Sequence, residues 1–209
     1  MEYWMKFIGY RRLKLIYSKI IEKQILRNAS KLHFLTKYEQ ISSKKYSYNK
    51  NYFILPNGIK LNDNKIKIKN NESPKLKLLA VGRIHPQKNF LELIKAIKII
   101  NNKNISLDII GAPQDREYFK LCNNFISENK LSNINLLGSM NKDKVIKMYP
   151  QYDLFCMPSI VEGVSMALIE AASFGLPSII TNGVGNYLEI IEDNAGLITS
   201  KYSSDIANT

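Results

Sequence analysis

The sequence predicts an α/β chain dominated by one doubly wound, parallel-sheet domain, and three observations carry that prediction. Leu76-Lys77-Leu78-Leu79-Ala80-Val81 is a strand-like run, followed by a turn and a helical pattern from Phe90 to Ile100 with Phe90, Leu93, Ile94, Ile97 and Ile100 on one face. Five further short apolar runs, near 106–110, 134–137, 154–157, 177–180 and 196–198, leave room for a helix between each pair, as repeated strand–helix units require. A second strand-to-helix junction spans Ser159 to Ala171 and sets two carboxylates, Glu162 and Glu170, on either side of it.

Taken in order, residues 3–28 read as a basic helix and Lys31-Leu32-His33-Phe34-Leu35 as a strand. Thr36 can cap a short helix, because its hydroxyl can accept from an unpaired first-turn N–H. Asn51-Tyr52-Phe53-Ile54-Leu55 is a second strand, and the polar run Lys60 to Ser73, rich in Asn and Lys, is a linker. In the larger domain Pro158-Ser159 stops the strand Leu154 to Met157, and Ser165 is placed to cap an apolar helix running to Phe174.

The two junctions are where chemistry concentrates. Gly82 lets the chain turn tightly after the first strand, and Arg83 and Lys88 place two cations at that strand's carboxyl end, where open parallel sheets bind ligands. Arginine can grip a phosphate bidentately and lysine acts as a point charge, so the pair suits a diphosphate whose charge grows as a bond to it breaks. At the second junction the free N–H groups of the helix mouth face any anion above the strand ends. With a rise of roughly 1.5 Å per residue, Glu170 lies about 7–8 Å beyond Ser165. A diphosphate at the mouth then lies between two hydroxyl acceptors: Glu162 for a sugar, Glu170 for a ribose.

From Leu76 to Thr199 the chain resembles the nucleotide-sugar-binding half of the retaining GT-B glycosyltransferases of family 4, the glycosyl transferases group 1 that build bacterial polysaccharides and glycolipids. The resemblance rests on Val81-Gly82-Arg83 with Gln87-Lys88-Asn89, on Ile109-Ile110-Gly111 and Leu136-Leu137-Gly138, and on Asp153 to Ser159. It continues through Glu162-Gly163 to Glu170-Ala171, Gly175-Leu176-Pro177 and Asn194-Ala195-Gly196-Leu197. It implies a Rossmann-like donor domain, residues 74–209, and a linker, 60–73. Residues 1–59 are then a remnant of the acceptor domain, with Pro56 to Ile59 as the interdomain hinge. It also implies that Arg83 and Lys88 bind the donor diphosphate, that Glu162 contacts the donor sugar, and that Glu170 contacts the ribose. Glu162, Arg83 and Lys88 thereby become the catalytic set. Gly82 and the backbone amides of Gly163, Val164 and Ser165 join the donor contacts, with serine where the family often has glycine. The implied reaction is transfer of a hexose from a nucleotide diphosphate sugar to a glycan or lipid-linked acceptor, with no cofactor and no metal. Because the resemblance covers one domain and a remnant, it further implies a partner chain supplying the acceptor domain, or a chain shortened at both ends. A non-catalytic nucleotide-sugar-binding subunit is the alternative.

Composition bounds these readings. The chain has 209 residues, 45% of them hydrophobic, and no apolar run near the roughly eighteen that span a membrane, so a globular chain in the cytoplasm is expected. The two cysteines, Cys122 and Cys156, read as packing thiols rather than as a disulfide or metal pair. The net charge is +12, and residues 1–31 alone hold Lys6, Arg11, Arg12, Lys14, Lys19, Lys23, Arg27 and Lys31 against Glu2 and Glu22. With Trp4, Phe7 and Tyr10 near its start, that helix suits the inner face of an anionic membrane, although a helix packed on a missing domain is the plainer reading. Nucleic acid is not an expected partner, since no helix-turn-helix, RNA-recognition or zinc signature accompanies the charge. A sugar-nucleotide epimerase of the same architecture is a third alternative. His85 reads as a turn histidine more readily than as a donor contact, and His33 as structural.

Overall fold

The structure is a computed structural model that describes residues 21, 23–44, 49–59 and 75–209. The chain divides into two compact units, Met1–Asn57 and Gly58–Thr209. In the first, helix α1 (Lys23–Asn28) precedes strand β1 (Leu32–Phe34), helix α2 (Lys37–Ser43) and strand β2 (Tyr52–Ile54), and the two strands pair in parallel. Thr36 caps α2 by accepting from the Glu39 N–H at 3.1 Å, and Glu39 returns the bond to the Leu35 N–H at 2.7 Å. His33 donates to the Leu55 carbonyl at 2.7 Å and stacks on Phe53, a structural role. The expected helix over 3–28 is described only from Lys23 onward. Its aromatic start at Tyr3, Trp4, Phe7 and Tyr10, and the linker 60–73, lie outside the described residues.

The second unit alternates strands and helices throughout: β3 (Leu76–Val81), α3 (Phe90–Ile100), β4 (Ile105–Ile110), α4 (Arg116–Glu128), β5 (Ile134–Gly138), α5 (Lys142–Met148), β6 (Leu154–Met157), α6 (Met166–Ser173), β7 (Ser178–Thr181), α7 (Tyr187–Glu192), β8 (Gly196–Thr199) and α8 (Ser203–Asn208). All six strands are parallel, in the order β5-β4-β3-β6-β7-β8. The α/β doubly wound sheet expected from the sequence is therefore the one observed. The strand order reverses between β3 and β6, and that switch point opens a crevice at the carboxyl ends of the two strands.

Side-chain alternation builds a core on each face of the sheet. Along β3, Leu78 and Ala80 join Phe90, Leu93, Ile94 and Ile97 of α3 on one face, while Leu79 joins Tyr149, Phe155, Met157 and Leu168 on the other. Both faces of the central strands are covered, which is why those strands read as continuous apolar runs. Strand β7 begins at Ser178 rather than at Pro177, because proline has no N–H to give a ladder; its carbonyl instead accepts from Phe155 N–H at 2.9 Å. Helix α8 closes the chain onto α3, with Ile206 in the shared core and Ser203 N–H donating to Glu92 Oε2 at 3.1 Å.

Close backbone approach at the end of β4 also shapes the crevice. A Cβ on Gly111 would lie 1.8 Å from the Gly82 carbonyl oxygen, so any side chain there would push the loop after β3 out of place. Gly111→Ala is expected to destabilise the fold by about 2–3 kcal/mol. Gly163→Ala, where a Cβ meets nothing within 4 Å, should be close to neutral. Urea midpoints of the two variants, measured side by side, check the contrast.

Candidate functional site

The crevice is built from the loops that leave β3 and β6. After β3, the chain runs through Gly82 and Arg83 to a single 3-10 turn, Pro86–Lys88, and into α3 through Asn89 in the left-handed conformation at φ 60°. His85 caps that turn, its Nδ1 accepting from the Gln87 N–H at 3.2 Å, which fills the role of a turn histidine. After β6, residues 158–165 cross the crevice to α6, and Ser165 caps the helix by accepting from the Leu168 N–H at 3.3 Å, as its position in the sequence predicts.

Three contacts fasten the two loops together. Ile160 N–H donates to the Gln87 carbonyl at 2.9 Å, Gln87 Nε2 donates to the Val161 carbonyl at 2.8 Å, and Lys88 Nζ meets Glu162 Oε2 at 2.6 Å. The last pair is largely withdrawn from water, with side chains only 10% and 22% exposed. A carboxylate and an ammonium so placed hold one another strongly, and each is costly to leave without a partner. The aliphatic stem of Lys88 lies over Gly82, where a Cβ would come 3.1 Å from Lys88 Cε. Gly82 sits in a bend directly after the strand, as expected, with φ outside the left-handed region, and its lack of a side chain also makes room for the lysine.

The other predicted residues occupy the rim. Arg83 is exposed and forms no hydrogen bond or ion pair among the described residues. The Ser165 N–H already donates to Asn186 Oδ1 at 3.3 Å, whereas the N–H groups of Gly163, Val164, Met166 and Ala167 find no partner among the described residues. Glu162 is held by its backbone as well, its N–H donating to the Gly183 carbonyl at 2.8 Å and its carbonyl accepting from Gly185 N–H at 3.0 Å. Glu170, eight positions on and on α6, does not share in the Lys88 pair. Its Oε1 lies 3.1 Å from Lys142 Nζ and its Oε2 accepts from the Tyr149 hydroxyl at 3.2 Å.

Residues 62–208 match the family model of the glycosyl transferases group 1. The chain belongs to that family. Among its relatives is an O-antigen biosynthesis glycosyltransferase, WbnH of Escherichia coli, 33% identical over 138 residues, which are 66% of this chain and 37% of that protein. Another, also from Escherichia coli, is named UDP-Gal:alpha-D-GlcNAc-diphosphoundecaprenol alpha-1,3-galactosyltransferase and is 32% identical over 146 residues, 64% of this chain and 37% of that one. The chain spans about a third of the length of these group 1 relatives. Solved structures of similar fold include a sucrose-phosphate synthase from Thermosynechococcus elongatus, with a TM-score of 0.75 at 21% identity over 90% of this chain and 50% of that one. HepE of Anabaena, solved with UDP and glucose, gives a TM-score of 0.72 at 18% identity over 88% of this chain and 53% of that one. The fold is thus that of the Rossmann-like, C-terminal half of GT-B glycosyltransferases.

Within this group 1 domain, sequence reasoning gives Gln87 a place in a motif but no role, and does not reach Lys142, Tyr149, Asn186 or the Gly183–Gly185 turn. The glycine pair around Val184 is the one local signal of that turn; the rest are contacts between distant segments. The cysteines lie in the core, Cys122 fully buried and Cys156 2% exposed, and both are free. Burial pushes the Cys122 thiol up to about 11, in spite of a hydrogen bond with Tyr118, and the Cys156 thiol up to about 12. Raised values leave almost no thiolate near neutral pH. An aromatic disulfide reagent at about pH 8 should therefore modify neither cysteine in the native protein and both in denaturant; one fast-reacting equivalent in the native state would contradict this.

Proposed function

We propose that this chain carries the donor site of a retaining, metal-independent glycosyltransferase that moves a hexose from a nucleotide diphosphate sugar to a glycan or lipid-linked acceptor. The observation that supports it best is the Lys88–Glu162 pair across the switch-point crevice, beside exposed Arg83 and the unpartnered N–H groups at the mouth of α6. Cations, amide donors and a hydroxyl acceptor are what a sugar diphosphate requires at one point. Local charge does this, not a general field: of 30 basic and 18 acidic residues, 16 and 5 fall in residues 1–74, so residues 75–209 are nearly neutral. That balance also argues against nucleic acid as a partner of the domain.

In this reading Arg83 and Lys88 bind the diphosphate, together with the amides of Gly163 and Val164; Ser165 serves chiefly as the helix cap. Glu162 receives the sugar hydroxyls and Glu170 the ribose. The bond from the anomeric carbon to the diphosphate oxygen breaks with its electron pair passing to the diphosphate, whose growing charge Arg83 and Lys88 stabilise. The acceptor oxygen bonds to the anomeric carbon from the same face, and its proton passes to the departing diphosphate. Reaction requires the acceptor oxygen about 3–3.5 Å from that carbon. The holding surface is assigned to a separate acceptor-binding unit or to a partner chain. A cytoplasmic setting against the inner membrane face fits the basic residues 1–31. No helix among the described residues is long and apolar enough to cross a membrane.

Donor binding then becomes an exchange of partners, because Lys88 meets the diphosphate only by loosening its hold on Glu162. Lys88→Ala should weaken binding of a free nucleoside diphosphate about ten- to a hundredfold. Glu162→Gln, which removes the competing carboxylate, should tighten that same binding severalfold while weakening an intact sugar nucleotide. Calorimetry across UDP, GDP and ADP and their glucose conjugates provides the measurement; equal affinities in wild type and Lys88→Ala would overturn the assignment.

A further inference from the structure

Glu170 is held from two sides by residues that neither the composition nor the local pattern of the chain singles out. Tyr149 opens a 3-10 turn, Tyr149–Gln151, between α5 and β6, and is fully buried. Its ring stacks on Phe174 at 5.7 Å between centroids and tilts against Phe155 at 6.2 Å, which fixes the ring plane from both sides. Its hydroxyl points to the first turns of α6, 3.2 Å from Glu170 Oε2 and 3.3 Å from the Ala167 carbonyl. Burial, and then the neighbouring Glu170 carboxylate, push the tyrosine pKa upward, so the hydroxyl remains a donor throughout the working range of pH. Lys142, at the start of α5 and largely exposed, meets the other carboxylate oxygen, Oε1, at 3.1 Å.

We propose that Tyr149 is a positioning residue for Glu170, and that it thereby sets the preference of the donor site for ribonucleotides over deoxyribonucleotides. This rests on the reading of Glu170 as the ribose acceptor. A glutamate on a helix surface has three side-chain torsions to order before it can receive a pair of hydroxyls, and ordering them on binding weakens the contact. Here the order is present beforehand. The tyrosine fixes one oxygen through a rigid ring that cannot itself move, while Lys142 is a long, exposed cation that ligand hydroxyls can displace from the other at little cost. Once Lys142 is displaced, Oε1 is left to accept from the ligand hydroxyls. Tyr149 touches neither sugar nor phosphate in this arrangement; it acts through Glu170.

The distinguishing measurement is a ratio of affinities. UDP, GDP and ADP are titrated into the chain by calorimetry, and whichever binds is compared with its 2′-deoxy and 3′-deoxy forms in wild type, Tyr149→Phe, Lys142→Met and Glu170→Gln. Wild type should prefer the ribonucleotide by tenfold or more, as expected for hydroxyl hydrogen bonds to a charged acceptor. Tyr149→Phe, which keeps the ring and its stacking, should lower that preference three- to tenfold with the deoxynucleotide affinity unchanged, and should add nothing in a Glu170→Gln background. Lys142→Met, on an exposed side chain that does not endanger the fold, removes a weak competitor for Oε1 and should raise the preference by about twofold at most. A Tyr149→Phe variant that weakens both nucleotides alike, or neither, overturns the proposal and shows the tyrosine to be a packing residue. A wild type that binds nucleotides without telling ribose from deoxyribose overturns it too, yet leaves the Arg83 and Lys88 assignment standing. A wild type that binds none of the three removes both.

Discussion

The pairing of β3 with β6 is the constraint from which the rest of the site follows. These strands are far apart in sequence, and they join in parallel over Leu78 with Leu154 and Leu79 with Phe155. Each then leaves the sheet toward its own helix on an opposite face, so their carboxyl ends must diverge. The two apolar cores make this obligatory, since α3 belongs to one face and α6 to the other. What the divergence opens, polar side chains bridge: Gln87 and Lys88 from one loop reach Val161 and Glu162 of the other.

Lys88 and Glu162 illustrate how a site can be both structural and chemical. As a pair they satisfy one another in a place poor in water, and so they hold two loops in register. Each is also the group that the proposed donor needs, a cation for its diphosphate and an acceptor for its sugar. A polar ligand that replaces the pair's mutual contact with two of its own restores the satisfaction that water cannot supply there. Glu170 stands on a separate support made of Tyr149 and Lys142, so the two glutamates are held independently of one another.

Local features were legible in the sequence wherever one segment carries its own signal. Helix Phe90–Ile100 follows from its apolar spacing, Ser165 and Thr36 from the preference of hydroxyls for helix starts, and the six strands from short apolar runs. The one-residue offset at β7 arises because Pro177 supplies a carbonyl but no donor. What stayed hidden is long-range: Tyr149 with Glu170 and Asn186 with the Ser165 amide are each separated by 21 positions, and no periodicity in one segment announces a hydrogen bond to another. At Gly82 the bend was legible, whereas the room it leaves for the Lys88 side chain was not, because a glycine in a loop suggests a turn before it suggests space for a neighbour.

The side chain of Asn89 bonds to the Lys201 carbonyl at 2.8 Å across 112 positions, with the Ser203-to-Glu92 bond beside it. The loop that bears Arg83 and Lys88 is thus completed by the segment after β8, not by anything near it in the chain. During synthesis, β3, α3 and β4 can assemble as soon as they emerge, yet Asn89 has no partner until residue 201 has cleared the ribosome. Local contacts form early and this one closes last, in keeping with the slowness of long loop closures. The polypeptide consequently acquires most of its sheet before the loop bearing Arg83 and Lys88 is pinned, and that loop waits for its final anchor until residue 201 has been made.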